Sequence, residues 1–197
     1  MITGGEGMFS IDAIYEQHNE QIYKFIYFLT FDETMAEDLL QETFIKAYEA
    51  RHTFRGDSTA LTWLRKIAKN LVLDHFKSKK KHFWQRYTSL DDIEIPTPTT
   101  EELATINEQK RELYAAIAAL KVEYRLAIIL RKLEGLSIKQ TAEILDWNEL
   151  KVKNATDRGM QALEKQMKGG HINGGAISKV NSGASNERPP TTEPYTY

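Results

Sequence analysis

The stretch AKNLVLDHFKSKKKHFW, residues 68–84, combines apolar residues with a run of lysines and bulky aromatic rings. Lysine ammonium groups bind phosphates, and aromatic rings stack on unpaired bases, which is worth roughly 1–3 kcal/mol per base. The amide of Asn70 can pair with a base edge that an intact duplex would hide. This composition predicts a site for single-stranded or opening nucleic acid.

Helical spacing assigns the residues around this stretch to two opposite faces, because each residue advances by about 100° around a helix axis. The face predicted to be buried contains Leu61, Leu64, Ala68, Leu71 and His75. The face predicted to be exposed contains Trp63, Lys66, Asn70, Leu73, Asp74 and Lys77, and Lys79, Lys80 and Lys81 extend its positive charge. An ordinary solvated helix face is the alternative explanation of these charges.

A second candidate site lies in SIKQTAEILDWNELKVKNATDRGMQAL, residues 137–163. It has the layout of a helix-turn-helix, with caps at Ser137 and Asn148 and a turn that starts at Asp146. Charged and polar residues then share the outer face of the longer helix and fit a recognition helix in a major groove. They are Lys151, Asn154 and Arg158, and Lys153 adds a further positive charge beside them. Two packed helices with a charged surface are the alternative.

Other chemistry is poorly supported by the sequence. The chain has no cysteine, which excludes disulfides, thiolate nucleophiles and cysteine zinc sites. Its five histidines have no spacing that would let two of them share a metal on one helix. The acids Asp91, Asp92 and Glu94 lie in a Pro/Thr-rich stretch that could not hold the metals of a nuclease rigidly. We expect no enzyme, no cofactor and no small-molecule substrate.

The elements that must position these sites are all helical, since no stretch shows sustained period-2 alternation. We expect an all-α protein of two small helical domains, 8–87 and 106–168, joined by a flexible acidic linker, 88–105. The linker has little apolar content, so we expect the domains to be independent. The ends, 1–7 and 169–197, are expected to be flexible and disordered.

Within the first domain, helices are predicted after a cap at Ser10, from Thr34 with a capping box to Glu37, and from about Thr59. The third of these is expected to be capped by Asp57 or Ser58. The second helix is expected to bury four residues: Leu39, Leu40, Phe44 and Tyr48. No apolar run approaches the length of a membrane span, and the N-terminus lacks a secretory pattern, so we expect a cytoplasmic protein.

Several strings together resemble the extracytoplasmic-function (ECF) sigma factors of bacterial RNA polymerase, most of all the sigma-X type. They are AEDLLQETFIKAY, TFRGDSTALTWLRKIAKNLVLDHFK and YRLAIILRKLEGLSIKQTAEIL, in the family's order over roughly residues 8–168. The resemblance implies a first domain of the sigma region 2 type, a region 4 helix-turn-helix, and a role in promoter recognition, DNA melting and transcription initiation. It also implies an envelope-stress regulon.

The same resemblance implies partners for particular residues. Asp38, Gln41 and Glu42 would contact the clamp of core RNA polymerase, and the flap of the polymerase is a further expected contact. The residues of 63–81 named above would contact the minus-ten element of promoter DNA, and those of 151–158 the minus-thirty-five element. A membrane-bound anti-sigma factor is a further expected partner and would hold the protein at the membrane.

A transcription regulator with a single helix-turn-helix, of the LuxR type, is the competing hypothesis. It would use residues 121–168 as its output domain and act without core polymerase. It leaves the basic and aromatic first domain unexplained. Transcription from a specific promoter by core polymerase and this protein alone would distinguish the two.

Overall fold

A computed structural model describes residues 10–54, 56, 58–79, 93, 95 and 108–169 of the chain. Those ranges contain no strand, and the all-α fold class is confirmed. Their helices are α1 (Ile11–Thr30), α2 (Glu33–Glu49), α3 (Ala60–Lys79), α4 (Glu108–Ala118), α5 (Val122–Ile128), α6 (Ile138–Leu145) and α7 (Glu149–Gly169). A 3-10 turn follows α2 at Arg51–Thr53, and a π turn, Ile129–Leu133, extends α5. None of the helices described is long and apolar enough to cross a membrane.

The starts of α1 and α2 are fixed by side-chain caps. The hydroxyl of Ser10 accepts a hydrogen bond from the backbone N–H of Ala13, as predicted. The predicted start of the second helix at Thr34 was wrong, because the carboxylate of Asp32 accepts from the N–H of Met35 at 2.8 Å and starts α2 one residue earlier. The positive end of the helix dipole also stabilises a carboxylate at this position.

Helix α3 begins at Ala60, one residue after the start at about Thr59 that the sequence suggested. The hydroxyl of Thr59 accepts from the backbone N–H of Thr62 at 3.2 Å, which makes Thr59 the cap and not Ser58. Asp57, the other predicted cap, lies outside the described residues.

The second half of the chain packs α5 closely against α7. A side chain at Gly159 of α7 would place its Cβ 2.9 Å from Cγ1 of Ile128 and 3.3 Å from Cβ of Tyr124. Because real Cβ atoms essentially never come within 3.0 Å of such a neighbour, only glycine allows this separation without a shift. The crossing of α5 and α7 therefore depends on residue 159.

The two halves of the chain do not stand apart, as the sequence had suggested, but share one apolar core. A single cluster contains Ile22 and Val72 of the first half and Leu126 and Ile144 of the second, and all four side chains are fully buried. Ile93 and Ile95, from the predicted linker, are buried in the same cluster at 6% and 7% exposure. The expectation that the linker had too little apolar surface to dock the halves is therefore corrected at these two residues.

Arg125 connects the halves at the centre of this arrangement and is only 1% exposed. Its guanidinium donates to the backbone carbonyl of Leu29 in α1 at 2.9 Å, and also to that of Ala118 at the end of α4. Both carbonyls lie at helix C-termini, where they have no partner within the helix and where a cation is favourable. Burial lowers the pKa of Arg125 to about 10. The rings of Phe28 and Tyr114, one from each half, also pack edge to face at 5.2 Å.

Candidate nucleic-acid and partner interfaces

The predicted nucleic-acid face of α3 is partly accessible. Asn70 and Asp74 are exposed, whereas Trp63, Lys66 and Lys77 are half-buried. The indole of Trp63 packs on Phe54 at a ring distance of 5.3 Å, which fixes its orientation. The ammonium of Lys77 lies 3.4 Å from a carboxylate oxygen of Asp74. The side chain of Lys79, and Lys80 and Lys81 entirely, lie outside the described residues.

The buried face of α3 differs from the predicted one. Leu64 and Ala68 are buried as expected, but Leu61, Leu71 and His75 are only half-buried. Leu73, predicted to be exposed, is 7% exposed and belongs to the shared core. The helix is turned so that part of the side expected to face solvent meets the second half of the chain.

Two cations of this turned face are buried and pair with acids from the second half. Arg65, 4% exposed, forms a salt bridge with Glu134, which lies just after the π turn. Burial lowers the pKa of Arg65 and raises that of Glu134, and each partner's charge opposes the shift of the other. Lys69, 5% exposed, donates to a carboxylate oxygen of Asp146 at 2.9 Å.

The carboxylate of Asp146 contacts the nucleic-acid face itself. Its second oxygen lies 3.8 Å from the ammonium of Lys66, one of the predicted minus-ten residues. The predicted face and the predicted helix-turn-helix are thus in direct contact. Sequence reasoning missed the buried cations because their acidic partners are 69 and 77 positions away, beyond the reach of any local periodicity.

The helix-turn-helix itself is confirmed. Ser137 and Gln140 form a reciprocal capping box at the start of α6, and the side chain of Asn148 accepts from the N–H of Lys151 at the start of α7. Between them, Asp146 ends α6 with φ at 57°, in the left-handed region that favours glycine. Val152 is fully buried beneath the turn.

The outer face of α7 forms a cleft of about 290 Å³ against α5. Lys151, Asn154 and Arg158 line it together, whereas Lys153 is exposed but does not line it. The ammonium of Lys151 pairs with Glu123 of α5 at 2.9 Å and lies 4.4 Å from the centre of the Trp147 ring. The cations of Lys151 and Arg158 thus lie on one surface of α7, with the amide of Asn154 between them.

Leu150 is a residue of this cleft that the sequence reasoning missed. It is 66% exposed and lies in the first turn of α7, beside Lys151. The sequence offered one signal for this residue: Leu150 stands among polar residues at the start of α7, away from the apolar face of that helix, which predicts an exposed leucine. The first turn of α7 therefore presents an exposed apolar side chain beside the cations of the cleft.

The predicted polymerase-binding residues lie on the outer face of α2. Asp38, Gln41 and Glu42 are all exposed, while Leu39 is buried on the opposite side. The prediction that Tyr48 is buried was wrong. It is 52% exposed, shares the outer face with the 58% exposed Ile45, and lies under the guanidinium of Arg51 at 4.3 Å. The outer face of α2 is therefore an acidic surface, and Ile45 and Tyr48 form an exposed apolar end on it.

Comparisons with known proteins match both halves of the chain to one family. The model of Sigma-70 region 2 matches residues 14–82, and that of Sigma-70 region 4 matches residues 110–163. The chain is 35% identical to the ECF RNA polymerase sigma factor SigX of Bacillus subtilis over 163 residues, which covers 80% of this chain and 84% of that protein.

Two solved structures share the fold. The sigma factor RpoE of Bartonella quintana, in complex with the anti-sigma factor NepR, gives a TM-score of 0.62 at 20% identity, covering 80% of this chain and 96% of that one. CnrH, in complex with the cytosolic domain of CnrY, gives a TM-score of 0.61 at 19% identity, covering 81% and 88%.

Proposed function

Since the chain belongs to the ECF sigma factors of the sigma-70 family, which bind core RNA polymerase and promoter DNA and are not enzymes, we propose how its surfaces divide that work and in which setting it acts. Three surfaces have separate roles. The outer face of α2 binds polymerase, α3 binds the minus-ten element, and the cleft on α7 binds the minus-thirty-five element.

The polymerase surface contains Asp38, Gln41 and Glu42. Their exposure supports this role, because polar side chains that no packing requires are available to a partner. The exposed rim of Ile45 and Tyr48 adds apolar area that a partner would bury. The clamp of core polymerase is the proposed partner here, and the flap is the proposed partner of the second half.

The minus-ten surface contains Trp63, Lys66, Asn70, Asp74 and Lys77, continued by the lysines that follow in the sequence. The exposure of Asn70 is the observation on which this proposal depends, because it leaves an amide accessible in the middle of a basic and aromatic face. It is proposed to pair with a base of the opened strand, while the lysines hold phosphates.

The minus-thirty-five surface combines Lys151, Lys153, Asn154 and Arg158. Asn154 and Arg158 are proposed to reach base edges from the cleft, and Lys153, outside it, to bind a phosphate. Leu150 adds an apolar contact, for which the methyl group of thymine is the matching feature of the major groove.

An anti-sigma factor is the proposed regulator, and a cytoplasmic location and an envelope-stress regulon are proposed with it. RpoE and CnrH, which share this fold, were each solved in complex with another protein, and in the case of CnrH that protein is described as the cytosolic domain of CnrY. A regulator of that kind would hold the sigma factor at the membrane until envelope stress releases it. The competing single helix-turn-helix regulator leaves the region 2 match unexplained.

Run-off transcription tests the division of roles. Purified core polymerase and the full-length chain are combined on a library of candidate promoters, with core polymerase alone as the control. Promoter-specific transcripts that start at a fixed distance from both elements are the expected result. Equal transcription with the triple variant of Asp38, Gln41 and Glu42 to alanine would contradict the role of α2.

A further inference from the structure

We propose that Asp146 is a latch that adds to the stability of a closed state of the free protein, in which the minus-ten surface and the helix-turn-helix are docked on each other. The carboxylate contacts Lys69 at 2.9 Å and Lys66 at 3.8 Å, so one acid in the turn binds two cations of α3. This inference rests on the proposed roles of α3 and α7. It adds a regulatory step that belongs to the chain itself and needs no second protein.

The docked arrangement is incompatible with binding both promoter elements. By their positions, the two elements are centred about 25 base pairs apart, which corresponds to roughly 85 Å of B-form DNA at 3.4 Å per base pair. In the docked state the turn of the helix-turn-helix lies within salt-bridge distance of the minus-ten surface. Promoter binding therefore requires the two halves to separate.

The backbone at Asp146 supports a role for its side chain. Apart from glycines, only Phe31 and Asp146 have a positive φ among the described residues. Glycine would adopt this conformation with less strain, and aspartate adopts it with some cost. At this position, which favours glycine, the carboxylate makes ion pairs with the other half that glycine could not make.

The salt bridges adjust the docking and are not its main source. The shared apolar core and Arg125 provide most of the contact between the halves. Asp146 is 66% exposed, so its pairs are screened by solvent and each contributes modestly. A modest change still matters for a ligand that binds only the open state. The apparent Kd of such a ligand equals its intrinsic Kd for the open state divided by the fraction of molecules that are open. Each threefold gain in the open fraction therefore tightens binding threefold while the closed state dominates.

Affinity for core polymerase is the appropriate readout, because binding through both clamp and flap requires separated halves. We compare the full-length wild type with Asp146→Asn, which keeps the shape of the side chain and tolerates a positive φ. We expect Asp146→Asn to bind core polymerase about three- to tenfold more tightly at low salt. The difference should shrink as added salt screens the latch in the wild type.

Lys69→Gln provides the decisive second variant. A latch predicts that Asp146→Asn and Lys69→Gln both tighten binding, and that the double variant gains no more than the better single one. A simple effect of net charge predicts opposite directions, because one variant removes a negative charge and the other a positive one. Glu164→Gln is the matched control, since it removes an exposed acid of a pair formed within α7 alone.

Opposite directions, or an unchanged affinity for both variants, would overturn the latch, provided that thermal melting shows them folded. Normal run-off transcription by the same variants would then show that the sigma-factor roles survive without it. Tighter binding by both variants, absent in Glu164→Gln, would establish the latch.

Discussion

Replacing Arg125 with methionine tests whether the two halves are docked in solution. The variant removes the donor of the carbonyls of Leu29 and Ala118, which lie in different halves of the chain. Each buried carbonyl left without a donor costs about 1–3 kcal/mol. Removing the charge returns part of this cost, because burial disfavours the ionised guanidinium, as the lowered pKa of about 10 indicates.

The net loss expected from these opposing effects is about 2–4 kcal/mol of unfolding free energy. For a chain of this size, 1 kcal/mol corresponds to roughly 2–4 °C, so the melting temperature should fall by about 4–16 °C. Arg125→Lys keeps the charge but cannot reach both carbonyls with a fork of donors, so it should lose an intermediate amount. Lys132→Met, at an exposed site, should change stability by less than about 0.5 kcal/mol.

The assay is urea unfolding followed by amide hydrogen exchange, which reports stability separately for each half. We expect a single transition in the wild type and reduced protection in both α1 and α4 of Arg125→Met. Loss of protection confined to the second half, with α1 unchanged, would refute the docked arrangement, because Leu29 would then have had no partner to lose.

Three further predictions concern the binding surfaces. The triple alanine variant of Asp38, Gln41 and Glu42 should weaken binding to core polymerase at least tenfold and change stability by less than about 1 kcal/mol, because all three are exposed; calorimetry beside a binding titration checks both. Asn70→Ala should reduce transcription from a duplex promoter more than from a pre-opened bubble, since opening costs a few kcal/mol that the bubble removes, and equal defects on both templates would contradict a role in opening. In a DNA titration, the wild type should lose about 1 kcal/mol of affinity when the thymine at one position of the minus-thirty-five element is replaced by deoxyuridine, which lacks the methyl group. The Leu150→Ala variant should show no such loss at any thymine of the element.

The helix-turn-helix could be predicted from the sequence almost completely, because its signals are local. Ser137 caps α6, Asn148 caps α7, and the apolar residues between them repeat with the period of a helix. Each of these features depends on residues within four positions of one another. The all-α fold class followed from the same kind of signal.

The faces of α3 and the docking of the halves could not be predicted in this way. Periodicity placed Leu73 on the solvent side, and a charged residue such as Lys69 has no local reason to be buried. Lys69 and Leu73 are buried because the second half of the chain packs against α3, and the residues that it contributes lie tens of positions away in the sequence. Ile93 and Ile95 gave a weak signal, since two isoleucines in a polar stretch can each occupy a pocket without making the stretch apolar.

The missing side chain at Gly159 has a mechanical consequence. With Ile128 directly against its backbone, α7 packs on α5 without room for a side chain at residue 159. Helix α5 also carries Arg125, which is bound to the end of α1. We therefore expect a displacement of α5 and Arg125 away from α1 to carry α7 with it.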